Sequence, residues 1–233
     1  MTYLYQEELD AATPRPLMLF LHGYGQAGGD PREQTLKHGP WSRSNPAVVG
    51  ELREWLRVAP HIAEPGGEWN SDQLVAVVRD VFARFPDVAP DGVSVVGISR
   101  GGWGALDFAS SCPADIAVAG TVVFCPEHVD ALEAALGRAP VLLFHCDADA
   151  VVQVSDKRRK VYQGLRNRSN FHWVRVHPSW TLGEKRHNCW TRVLAERGVY
   201  EWFTGLHTDP TYATSRDRWP DFTHLEQARP VSV

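Results

Sequence analysis

No apolar run in this chain approaches the roughly 20 residues that a membrane-crossing helix requires. Cysteine is scarce. Cys112, Cys125, Cys146 and Cys189 are scattered and form no C-x-x-C pair, so they read as reduced, buried small residues rather than a disulfide frame. A disulfide between two of them stays open. An excess of positive charge is missing as well: 24 Lys and Arg face 28 Asp and Glu, a net charge of −4, which makes no electrostatic case for nucleic acid. Met1 to Asp10 contains no basic segment leading into an apolar core, so a cytoplasmic protein without a signal peptide is expected. Neither a repeat nor a low-complexity block breaks the 233 residues, whose length suits one sizeable core.

What the chain does have is the stretch Val93-Ser94-Val95-Val96-Gly97-Ile98-Ser99-Arg100-Gly101-Gly102-Trp103-Gly104. A β-branched run stops at glycine, a serine sits on the turn, and further glycines open a helix. This is the G-x-S-x-G strand–turn–helix pattern that raises a nucleophilic serine on a tight turn. Gly97 and Gly101 lack the Cβ atoms that would collide where the chain passes close to itself.

Along the chain, Leu4–Leu9 reads as an edge strand and Leu17–Leu21 as a strand covered on both faces. Gly25 to Pro46 reads as a long irregular segment, of the kind that is usually functional. A helix is expected over Pro46–Trp55, a short strand over Leu56–Pro60, and an amphipathic helix over Asp72–Phe85 with Ser71 or Asp72 as its cap. Strands then follow at Val93–Ile98, Ile116–Phe124, Pro140–Cys146 and Phe171–Val176. They alternate with helices at Gly101–Ser111, Glu127–Leu136, Val154–Leu165 and Thr191–Leu206. The run Lys157-Arg158-Arg159-Lys160 reads as a solvated helix face. The pattern predicts a single α/β domain over 1–206, with a mostly parallel sheet covered on both sides; 207–233 is a tail that either packs back or moves freely.

In such sheets ligands bind beyond the carboxyl ends of the strands. His22-Gly23, Ser99, the run His145-Cys146-Asp147-Ala148-Asp149, and His187 all fall at or after those ends. Four motifs then resemble the α/β-hydrolase superfamily, and within it the phospholipase/carboxylesterase and polyhydroxybutyrate-depolymerase-like esterases. They are Leu19-Phe20-Leu21-His22-Gly23, the Ser99 turn, His145 to Val152, and His187-Asn188-Cys189-Trp190-Thr191 followed by Tyr200-Glu201-Trp202-Phe203. The resemblance runs from about Leu17 to Leu206, in the order Ser…Asp…His that the fold uses. Cys146 and Ala150 depart from the family's usual glycine and proline, and neither change removes a reacting group.

The resemblance implies a serine hydrolase for carboxylic esters or thioesters with no cofactor; only Cys125 to Ala139 separate the strand after the serine helix from the next, so no inserted cap is expected. Ser99 is the expected nucleophile, His187 the base in preference to His177, and Asp149 the orienting acid in preference to Asp147. The backbone N–H groups of Tyr24 and Arg100 are the expected oxyanion donors. His22 and His145 read as structural hydrogen-bonders, and the Arg100 side chain as solvated or ion-paired. Trp69 and Trp180, in loops, are candidate pocket walls. A metal site at His145, Asp147 and Asp149 is disfavoured because no histidine pair at helical spacing accompanies them. Two other uses stay open: acyl transfer, cyclisation or amide cleavage by the same three groups, and a non-catalytic binding protein on the same fold. Oligomeric state is left open.

Overall fold

A computed structural model describes residues 1–6, 14–40, 52, 54–209 and 211–229. The strands are β1 (Thr2–Gln6), β2 (Arg15–Leu21), β3 (Leu56–His61), β4 (Val88–Ile98), β5 (Val118–Phe124), β6 (Val141–Cys146) and β7 (Phe171–Val176). They form one sheet in the order β1-β3-β2-β4-β5-β6-β7. β1 pairs antiparallel with β3 at the edge, and every other pairing is parallel.

The apolar runs are continuous because both faces of the sheet are buried. Leu17, Leu19 and Leu21 of β2 enter one core layer and Met18 and Phe20 the other; Val141 and Leu143 of β6 part in the same way from Leu142 and Phe144. The first layer is covered by α2 (Ser71–Arg84), α3 (Arg100–Ser111), α4 (Leu132–Leu136) and α5 (Asp156–Leu165), and the earlier helix α1 (Pro31–His38) lies in the segment after β2. The second layer is covered by α6 (Trp190–Val193) and α7 (Arg197–Thr208). Tyr212, Trp219, Phe222 and Leu225, beyond α7, are buried in the same layer.

Several boundaries differ from those expected, each for a local reason. The edge strand ends at Gln6, and the rest of the expected Leu4–Leu9 lies outside the described residues. Within the segment expected to be irregular, Asp30 accepts from Arg32 N and Glu33 N and Pro31 opens α1. That helix carries almost no apolar stripe to betray it. Most of the helix expected over Pro46–Trp55 lies outside the described residues, although Leu52 and Trp55 are buried. Asn70, one residue before the expected caps, takes Gln73 N and starts α2. β4 begins at Val88 and kinks at Gly92, whose φ of 149° suits only glycine.

Only Leu132–Leu136 of the expected Glu127–Leu136 helix is helical. The last expected helix is broken at Glu196, which has extended backbone. Residues 125–140 hold nothing larger than α4, so no cap is inserted there. No helix of the described residues is long and apolar enough to cross a membrane.

Candidate active site

Ser99 stands between β4 and α3 with φ 53° and ψ −117°. For a residue with a Cβ, this conformation persists only where the surroundings impose it. They do so here: Ser99 N donates to Phe124 O at 2.8 Å, and Ser99 O accepts from Gly102 N at 2.9 Å and Glu127 N at 3.2 Å. The two flanking glycines are required by contact. A Cβ on Gly97 would lie 2.1 Å from Gly101 O, and one on Gly101 would lie 2.1 Å from Leu21 O.

His187 reaches this turn from the loop after β7. Leu182 N donates to Asn188 O at 2.7 Å and Ala150 N to Lys185 O at 2.8 Å, which pin the loop on both sides. His187 Nε2 is 3.0 Å from Ser99 Oγ, and its Nδ1 is 2.6 Å from Asp149 Oδ2. The geometry is that of Nδ1–H donating to the carboxylate and Nε2 accepting from the serine hydroxyl. Asp149 is fully buried as a side chain, and its Oδ1 accepts from Val151 N and Val152 N at 2.8 and 2.9 Å.

Burial works against the charge on both partners, and the pairing overcomes it. Burial raises the Asp149 carboxyl, but the hydrogen bond from His187, with the His145 ring beside it and the N–H of Val152, holds it well below the usual carboxylate range. Burial likewise lowers His187, but the hydrogen bond to Asp149 outweighs it and the imidazole is raised to about 9. Asp147 is turned elsewhere, pairing with Arg159 at 3.2 Å and with Arg175 Nε at 2.9 Å. His177 is also elsewhere, 2.8 Å from Ser179 Oγ through its Nδ1.

Tyr24 opens a three-residue 3-10 turn and Arg100 opens α3. Their N–H groups are therefore among those with no partner inside the helix they begin. His22 lies beneath this turn: its Nδ1–H donates to Gly23 O at 2.8 Å and its Nε2 accepts from Ile62 N at 3.1 Å. Burial pushes His22 down to about 4, so it is neutral. His145 has a comparable place under the acid loop, donating to Val152 O at 2.8 Å and accepting from Tyr162 Oη at 3.2 Å.

Around Ser99 lies an open cleft of about 400 Å³, walled by Tyr24, Arg100, Glu127, Val151, Gln153 and Arg158. A larger groove of about 620 Å³, between Asp130 and Lys160, meets it at Arg158, but the reactive groups are in the smaller cleft. The two tryptophans expected as pocket walls are not in the cleft lining. Trp69 is buried beneath it, its Nε1 donating to His22 O at 3.0 Å and its ring packed against Gly104. Trp180 is held by the C-terminal segment through Gln227 O at 3.1 Å and by the edge of His224. Both indoles are drawn away by carbonyl acceptors for their N–H.

Sequence reasoning missed Glu127 and Arg158. Glu127 lies just beyond the carboxyl end of β5, a place that in this sheet should have drawn attention. Arg158 is in the run read as solvated, yet its guanidinium donates to Pro126 O and Glu127 O. Among the described residues, Cys125, His145 and Asp149 bring possible metal-ligating atoms within 4.8 Å of one another. His145 Nε2 carries the proton donated to Val152 O, and Asp149 is engaged by His187, so the donor set as folded fits the hydrogen-bonded relay rather than an ion.

No protein-family model matches the chain, and no curated protein does. Solved structures do. A thermostable esterase superposes with a TM-score of 0.69 at 20% identity, over 87% of this chain. The chain spans 58% of that esterase's length. A truncated carbohydrate esterase from gut microbiota gives 0.60 at 13% identity, covering 88% of this chain and 90% of that one. The monoacylglycerol lipase of Paleococcus ferrophilus gives 0.53 at 15% identity, covering 88% of this chain and all of that one. Together with the parallel sheet order and the serine turn between β4 and α3, these likenesses identify the fold as that of the α/β-hydrolases.

Proposed function

We propose that this chain hydrolyses carboxylic esters or thioesters through an acyl-enzyme on Ser99. The observation that carries the reading is the unbroken relay from Ser99 Oγ to His187 at 3.0 Å and on to buried Asp149 at 2.6 Å, opening on a cleft. A serine hydroxyl is a weak nucleophile at neutral pH and needs a base to take its proton during attack. His187 Nε2 fills that role, and Asp149 fixes the ring and stabilises the imidazolium. Ser99 Oγ bonds to the carbonyl carbon, and the carbonyl oxygen takes the negative charge against the N–H groups of Tyr24 and Arg100. On collapse the C–O or C–S bond breaks, and the leaving alcohol or thiol takes the proton from His187. A water molecule then gives a proton to His187 as its oxygen bonds to the acyl carbon; the bond from that carbon to Ser99 Oγ breaks, His187 returns the proton to Oγ, and the acid leaves.

The breadth of the cleft favours water as the acceptor, because acyl transfer to an amine or alcohol requires water to be kept out. Fluorophosphonate labelling, alongside hydrolysis of nitrophenyl esters, tests the reading. Wild type should label once and Ser99→Ala should not. An unlabelled wild type, or equal labelling of the variant, would overturn it.

A further inference from the structure

We propose that the Arg100 side chain is a positioning residue for the oxyanion site, bracing the Tyr24 turn against the serine turn; this rests on the hydrolase reading above. The turn Tyr24–Gln26 buries none of its residues, and Tyr24 is 57% exposed. The core therefore does little to fix a backbone N–H that must be aimed closely at a developing charge. Arg100 supplies what the core does not. Its guanidinium lies 4.4 Å over the Tyr24 ring. Nη1 donates to Gly66 O at 3.0 Å and Gly67 O at 3.3 Å, while Nε and Nη2 grip the Glu127 carboxylate at 2.8 and 3.3 Å. The Tyr24 ring also borders Gly66, so ring, loop and guanidinium form one cluster.

Glu127 closes the frame. Its N–H donates to Ser99 O at 3.2 Å, and its carbonyl accepts from Arg158 Nη2 at 2.9 Å. A single side chain, only 14% exposed, thus ties the two expected donor residues, the 66–67 loop and the segment after β5 into one body. A guanidinium has five N–H donors in a planar fork. With the fork spent on Glu127 and two carbonyls, and its charge met by Glu127, Arg100 has no free pair of donors for a substrate carboxylate. Its role is geometric, which a lysine lacking the fork and the planar stacking face does not reproduce.

The test compares wild type, Arg100→Met, Arg100→Lys and Glu127→Gln on one nitrophenyl ester, with rates normalised to sites titrated by fluorophosphonate. Each protein is also inhibited with the trifluoromethyl ketone of the same acyl group, which forms a tetrahedral oxyanion on the serine. In Arg100→Met we expect kcat to fall about 10- to 100-fold with KM little changed, since losing a whole donor costs about 100- to 1,000-fold. The ketone's inhibition constant should rise by the same factor. Arg100→Lys should not rescue either value, and Glu127→Gln should shift both in the same direction by less. Arg100→Met with wild-type kcat, or a lower kcat with an unchanged inhibition constant, would overturn the brace. A wild type that neither turns over esters nor binds the ketone would overturn the hydrolase reading itself.

Discussion

Asp149 Oδ2 lies 2.6 Å from His187 Nδ1 and 3.5 Å from His145 Nε2, so the oxygen that orients the proposed base faces a second, fully buried imidazole. The other oxygen is committed to two backbone N–H groups. The carboxylate is held from both ends, and this makes the choice between the two aspartates testable. We predict that Asp149→Asn lowers kcat about 1,000- to 10,000-fold, as expected when the orienting acid of such a relay is lost. Asp147→Asn, which breaks only pairs with Arg159 and Arg175, should stay within about threefold. Steady-state kinetics on the two variants decide it; the reverse order reassigns the acid.

The raised His187 has a second consequence. A base works neutral, so kcat/KM should climb as pH rises through the histidine's folded value, with a midpoint well above 6.5 and toward 9. In Asp149→Asn the burial remains and the partner charge is gone, so the midpoint should fall to 6.5 or below. The stability linked to His187 has the opposite sense to activity: it is complete below pH 6.5 and drains away as pH rises toward 9. A pH–rate profile with the same midpoint in both proteins would refute the pairing.

Close approach at the serine turn predicts a steep asymmetry among glycines. Gly101→Ala puts a Cβ 2.1 Å from Leu21 O, a backbone atom that cannot yield, and should cost about 3 kcal/mol or more. Gly164→Ala, inside α5 with nothing within 4 Å, should gain up to about 1 kcal/mol. Urea unfolding of both variants measures the contrast.

The parts of this molecule that follow from periodicity are legible in the amino-acid sequence. β6 and β7 fall within a residue of their expected ends because their runs obey the burial of a doubly covered sheet. That Ser99, Asp149 and His187 meet is legible because the topology puts strand ends on one edge, while the choice of Asp149 over Asp147 comes from the family resemblance of the loop. The polar helix α1 is not, since capping by Asp30 and Pro31 makes it without an apolar stripe. Neither is Arg158, whose inward contacts are with the backbone carbonyls of Pro126 and Glu127, which no residue pattern records; Glu127, paired with Arg100, is marked only by its place just after β5. Trp69 shows the converse: a loop position suggests a pocket wall, and an acceptor at His22 O draws it inside.

Substrate size is open to measurement too. A cleft of about 400 Å³, with Val151 and Val152 as its aliphatic members, suits a short acyl group. Nitrophenyl acetate and butyrate should be turned over with a higher kcat/KM than the dodecanoate by about tenfold or more, the discrimination that even one methylene can provide. Equal values across the series would contradict a pocket sized for a short acyl group.

The absence of a cap between β5 and β6 has a kinetic meaning. On the proposed mechanism an acyl-enzyme on Ser99 faces an open cleft with no cap between β5 and β6 over it, so its lifetime should be set by the attack of water activated by His187 rather than by the opening of a gate there. Small nucleophiles such as methanol or hydroxylamine should then partition the acyl group in proportion to their concentration, and saturation of that ratio would contradict the open cleft. The product ratio becomes a direct gauge of how exposed the acyl carbon is.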